Sequence, residues 1–177
     1  MARIELASSE PQDPALQAIY NELRAARGQD FEIPNLYRVL GNAPAMLRAW
    51  LDFAWPLRSE PHTSRAVREL AILRGAQVSG AQYEWVRHVP LALQAGVTQA
   101  QIDALESWRD SPLFTEQDKA VLRMAEEVTQ GPAASAESIE ALKTAGFSDS
   151  DVVELVLTSS FYVCVSRFLQ SMDIELE

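Results

Sequence analysis

The chain is poor in several of the residues on which common chemistries depend. It has one cysteine in 177 residues, Cys164, which excludes an internal disulfide framework and any Cys-x-x-Cys redox pair. Positive charge is also scarce. There are 15 basic against 25 acidic residues, a formal charge of -10, and no basic stripe, which argues against nucleic acid and anionic membrane as partners. No run of about 18 uncharged apolar residues occurs, because the most hydrophobic stretch contains Glu154 and ends at Arg167. The N-terminus, MARIELASSE, lacks the apolar core of a signal peptide. There is no phosphate-binding glycine loop and no serine in a nucleophile-elbow context. The expectation is a soluble cytoplasmic protein of one domain over residues 1–177, long enough for a substantial core.

What the chain does have is helical periodicity with regular punctuation. Residues 1–10 read as a loose arm. Leu16, Ile19, Tyr20 and Leu23 form a first stripe that Gly28 stops. Pro34 opens a short segment to Leu40, and Pro44 opens another to about Trp55. Further on, Thr98 with Gln101, Thr115 with Asp118, and Ser148 with Asp151 stand at helix-start spacing. Gly96-Val97-Thr98 and Gly146-Phe147-Ser148 echo one another fifty residues apart, which suggests similar turn geometry. Residues 155–165 are rich in β-branched and aromatic side chains. The spacing box before them and the lack of any turn signal within them predict a helix over 149–172.

The centre of the chain is RAVRELAILRGAQVSGAQYEWVRHVPLALQA, residues 65–95. A first helix, 65–78, is apolar nearly all round and therefore predicted buried. Glu69 lies inside it, bracketed by Ile72, Leu73 and Ala76. A second helix, from about Gly80 to Ala95, is expected to be capped by Ser79 with Gln82. It carries Glu84 and His88 four apart on one face.

Each of these residues has an ordinary and a chemical reading. Glu69 is either half of a buried salt bridge, with Arg65 or Arg68, or a carboxyl group raised by apolar surroundings and ready to exchange protons. Glu84 and His88 are either a plain helix pair or a relay in which Glu84 fixes the imidazole tautomer and His88 moves a proton. Tyr83 offers a hydrogen bond or packs. His62, in a polar turn, reads as a surface histidine. Without a second histidine nearby, a metal site over Glu69, Glu84 and His88 is the weaker reading. Cys164, between Val163 and Val165, reads as a buried, inert thiol.

The stretch REL-AILR-A…SGAQYEWVRHVPLALQAGVTQAQIDAL, with PNLYRVLGNAP before it, resembles the carboxymuconolactone decarboxylase family over roughly residues 34–110. The resemblance implies the all-α, alkylhydroperoxidase D-like fold, with about seven to eight helices, a family core at 34–110 and an N-terminal helical extension. In the redox branch of that superfamily a glutamate precedes a Cys-x-x-Cys and a histidine. Here the glutamate falls on Glu69 and the histidine on His88, while Ala81 and Glu84 occupy the two cysteine places. Without thiols the peroxidase chemistry has no nucleophile.

The decarboxylase branch, which uses no cysteine pair, implies Glu69, Glu84 and His88 as catalytic residues. The substrate is then a small lactone or carboxylic acid, bound with Tyr83, Arg74 and Arg87 as candidate contacts. Cofactor and metal are expected to be none. The family also implies a homo-oligomer: dimer, trimer or hexamer. A non-catalytic structural or small-molecule-binding oligomer is the competing reading.

Overall fold

The computed structural model describes residues 2–177, and these contain nine α-helices, a short 3-10 turn and no strand. The helices are α1 (Pro14–Arg27), α2 (Asn35–Leu40), α3 (Pro44–Ser59), α4 (Arg65–Ser79), α5 (Gln82–Gln94), α6 (Gln99–Asp103), α7 (Glu116–Gln130), α8 (Ala136–Thr144) and α9 (Asp149–Met172). The count is one above the expected seven to eight, and α2 and α6 are short elements of 6 and 5 residues. The predicted helix after Thr98 ends early: Ala104 leaves helical geometry and Leu105–Ser107 form the 3-10 turn.

The contacts divide the chain into two compact units. Residues 1–58 with 169–177 form one, and residues 59–168 form the other. Within the first, α1 is capped by Asp13, whose carboxylate accepts from the amides of Ala15 and Leu16. Leu16, Ile19, Tyr20 and Leu23 are buried as the stripe requires. The N-terminal arm is not loose. The Ala7 amide donates to the Arg38 carbonyl at 3.0 Å, and Arg38 Nε returns a bond to the Ala7 carbonyl at 2.9 Å. Backbone pairing of this kind leaves no hydrophobic pattern to read in the sequence.

The second unit is built on α4, which packs against both α5 and α7. Leu70 and Leu73 join a core with Ala92, Ile102, Trp108, Phe114 and Leu122. The neighbouring residue Ala71 joins a different core, with Val121, Met124, Leu142 and Leu155. A helix covered on several sides needs apolar residues around its whole circumference, which accounts for the missing polar face.

The echo between residues 96 and 146 is a shared turn. Gly96 and Gly146 adopt φ of 99° and 98°. The following amides, Val97 and Phe147, reach back to the carbonyls of Ala92 and Leu142 at 3.0 and 3.1 Å, closing the preceding helix. The next residue opens a new one. Thr98 and Gln101 form a reciprocal cap, as do Ser148 and Asp151.

Cys164 is exposed, contrary to the expected burial. Along α9, Val153, Leu157, Ser160, Cys164 and Arg167 recur every three or four residues and face outward together. Val165 and Ser166 turn inward instead.

Candidate functional site

Glu69 of α4 and Glu84 and His88 of α5 are buried inside the second unit, and two of them meet. Glu69 is fully buried. Its Oε2 lies 2.8 Å from His88 Nδ1, and its Oε1 forms an ion pair with Arg65 one helical turn earlier. The ion pair with Arg65 is one of the two expected for Glu69, and the contact with His88 is made by its other oxygen. Arg65 sits in the first turn of α4, after Ser64, whose hydroxyl accepts from the Val67 amide. Its side chain is 32% exposed, against 0% for Glu69.

His88 is wedged between Glu69 and the ring of Tyr162, which meets it edge-on with centroids 4.9 Å apart. A carboxylate at Nδ1 selects the tautomer with its proton on that nitrogen, leaving Nε2 as the working atom. Nε2 makes no hydrogen bond among the described residues, and a tenth of the side chain is exposed.

Glu84 shares the buried face of α5 with His88 but does not orient it. The imidazole is held by Glu69 from the neighbouring helix instead. Glu84 Oε2 accepts a hydrogen bond from Ser166 of α9, and its Oε1 is buried without a partner. Burial pushes its pKa up to about 8, with the Ser166 bond opposing the shift. At neutral pH this side chain is mostly a neutral acid.

The expected cap of α5 is absent. Ser79 ends α4 and donates to the carbonyl of Gly75 at 2.8 Å. Gly80, with φ of 66°, makes the left-handed turn, and Ala81 begins α5 with no side-chain cap.

Neither arginine proposed for anion binding is committed to this pair. Arg74 is buried and bound to Glu126 at 3.3 Å, with a further bond to the Leu105 carbonyl. Burial works against ionisation of Glu126, but bonds from Trp108, Arg74 and Arg109 outweigh it and hold its carboxyl below the usual range. Arg87 is exposed, with its guanidinium 5.7 Å from the ring centre of the half-buried Tyr83. The cation that touches Glu69 is Arg65. His62 is exposed, and its backbone amide donates to Glu154 at 2.9 Å. No cluster of three or more metal-binding side chains occurs among the described residues.

Sequence reasoning missed Ser166. Its signal was a polar residue on the inward face of an apolar helix, alongside Thr158 and Ser159, all three buried.

The model of the carboxymuconolactone decarboxylase family matches residues 44–127. The matched segment runs from the start of α3 into α7 and so contains Arg65, Glu69, Glu84 and His88. No curated protein sequence matches the chain.

Solved structures extend the likeness over the whole length. A peroxidase-related protein of Ralstonia eutropha JMP134 with an alkylhydroperoxidase AhpD core superposes at TM-score 0.83 and 16% identity, covering 99% of this chain and 92% of that one. The debrominase Bmp8, as a cysteine-to-alanine variant in complex with 2,3,4-tribromopyrrole, gives 0.81 at 17% identity, covering 100% and 94%. An Agrobacterium tumefaciens protein described as a putative antioxidant defence protein AhpD gives 0.71 at 23%, covering 78% and 95%. The matched segment thus sits within an AhpD-like, all-helical fold.

Proposed function

We propose that the protein is a cofactor-free proton-transfer enzyme, a lyase acting on a small lactone or carboxylic acid. Its acid–base device is the Glu69–His88 pair. The observation that carries this reading is the asymmetry of His88: Nδ1 is bound to a buried carboxylate, while Nε2 has no hydrogen-bond partner among the described residues and the ring keeps some exposure. A histidine serving only the fold has reason to satisfy both nitrogens when it is this buried.

In the proposed step the bond from the substrate carbon to its carboxylate breaks and carbon dioxide leaves. The bonding electron pair passes into the unsaturated lactone system. His88, first protonated at Nε2 from solvent, delivers that proton to the carbon on which the electron pair settles and returns to the neutral imidazole with its proton on Nδ1. Glu69 stabilises the charged imidazolium and holds its orientation. Arg65, partly exposed and already touching Glu69, is the cation that receives the substrate carboxylate before it leaves, in place of Arg74 and Arg87. Glu84 is a second acid.

Hydroperoxide reduction is the weaker alternative, because Ala81 and Glu84 offer no thiol pair and Cys164 lies on the outward stripe of α9. A purely structural role is disfavoured by the unpartnered Glu84 Oε1 and His88 Nε2. The debrominase complex supports a small-ligand site in a protein of this fold. A homo-oligomer remains part of the proposal, since Val153 and Leu157 stay exposed on α9.

The test is ultraviolet-monitored loss of 4-carboxymuconolactone with purified protein. Turnover above the spontaneous rate supports the reading. Its absence with well-folded protein overturns this substrate.

A further inference from the structure

Glu84 has a feature that the Glu69–His88 pair lacks: a line of hydroxyl groups leading away from it. Ser166 Oγ bonds to Glu84 Oε2, and Ser79 Oγ lies 3.3 Å from Ser166 Oγ. Ser79 is half-buried at the end of α4, next to the exposed Gly80. Ser166 also lines a cavity of about 10 Å³ with Ser159, Tyr162, Thr129 and Gly75, and Ser159 Oγ is buried there without a partner.

We propose that Ser166 and Ser79 form a proton relay that exchanges the carboxyl proton of Glu84 with solvent, making Glu84 a rechargeable neutral acid one turn of α5 before His88. The chain of hydroxyls runs in either direction. With Glu84 ionised, Ser79 donates to Ser166 and Ser166 donates to Glu84. With Glu84 protonated, its O–H donates to Ser166, Ser166 donates to Ser79, and Ser79 donates to the Gly75 carbonyl, an acceptor it already uses at 2.8 Å. Recharging passes one proton along the line: a solvent hydronium gives one to Ser79 and is left as water, Ser79 passes one to Ser166 and Ser166 to Glu84, and each hydroxyl ends neutral.

No charged group contributes to the shift of Glu84, which burial dominates. The carboxyl therefore titrates against the hydroxyl line alone, and a change at Ser166 is read directly. The use of this proton in turnover rests on the proposed lyase reading. The relay itself does not, because it is measured without substrate.

The experiment is infrared spectroscopy of the intact protein. A protonated-carboxyl carbonyl band is expected at pH 6, disappearing as pH rises through about 8 and missing in Glu84→Gln. On transfer to deuterium oxide the wild-type band shifts at once. In Ser166→Ala the shift slows by roughly a hundredfold, the low end of what a positioned proton carrier contributes. Ser166→Thr, which restores the hydroxyl, recovers the rate. The half-buried Ser79→Ala slows it as well and provides the test if Ser166→Ala fails to fold. Exchange as fast in Ser79→Ala and Ser166→Ala as in the wild type overturns the relay, as does a spectrum in which Glu84→Gln removes no band. Loss of lyase turnover with these exchange results intact would sink the substrate reading and leave the relay standing.

Discussion

His88 Nδ1 and Glu69 Oε2 lie 2.8 Å apart although nineteen residues separate them in the chain. The contact couples a fully buried carboxylate, also paired to Arg65, with an imidazole whose other nitrogen is unclaimed. It sets the charge on α4 and the tautomer on α5 together, so disturbing one partner disturbs the other.

Removing Glu69 is therefore costly to the fold. Glu69→Ala strands Arg65 and His88 in a site built for their partner, and the expected loss is roughly 3–5 kcal/mol, typical of breaking a buried ion pair from one side. Glu69→Gln keeps the shape and an acceptor for Nδ1 but not the charge that stabilises an imidazolium. It is expected to retain most of the stability and to lose roughly 10²–10⁴-fold in turnover. Urea denaturation alongside steady-state kinetics separates the two effects.

The pH dependence of stability follows from Glu84. Its carboxyl rises from 4.5 to about 8 on folding, so the native state holds its proton where the unfolded chain has released it. The resulting stabilisation is complete below the unfolded value and is lost as pH rises through the folded one. Between those values stability is expected to fall by up to about 1.4 kcal/mol per pH unit. Glu84→Gln, which cannot ionise, should flatten this slope. Denaturation midpoints measured from pH 5 to 9 for both proteins check it, and parallel curves would contradict the shift.

The paired turns give a second stability test. Gly96 and Gly146 hold nearly the same positive φ, and an added Cβ meets nothing within 4 Å at Gly96 and only the Gln117 side-chain nitrogen, at 3.6 Å, at Gly146. Backbone strain alone therefore sets the cost. Gly96→Ala and Gly146→Ala are each expected to lose about 1–2 kcal/mol, by similar amounts, measured as a fall in thermal midpoint.

These features were unequally legible in the sequence. Helix starts and stops rest on local chemistry, so Gly28, Gly96, Thr115 and Ser148 announced themselves, and the all-round apolarity of α4 foretold its burial. Glu69 and His88 were recognisable as an unusual pair of buried polar residues. Their direct contact was not, because spacing fixes angles around one helix but not the rotation of one helix against another. That is why Glu84, on the same helix face as His88, was expected to orient it, and why Ser166, eighty-two residues further on, went unnoticed. The partner of Arg74 was hidden for the same reason: Glu126 comes from α7. Cys164 misled because a helix as apolar as α9 still turns one stripe outward.

The central claim is that His88 delivers the proton, and it is tested most directly by 4-carboxymuconolactone turnover in His88→Ala beside the wild type, with folding of both confirmed by circular dichroism. Removal of the acid is expected to lower turnover by roughly 10²–10⁴-fold without unfolding the protein. A folded His88→Ala protein that turns the lactone over at the wild-type rate would contradict the account.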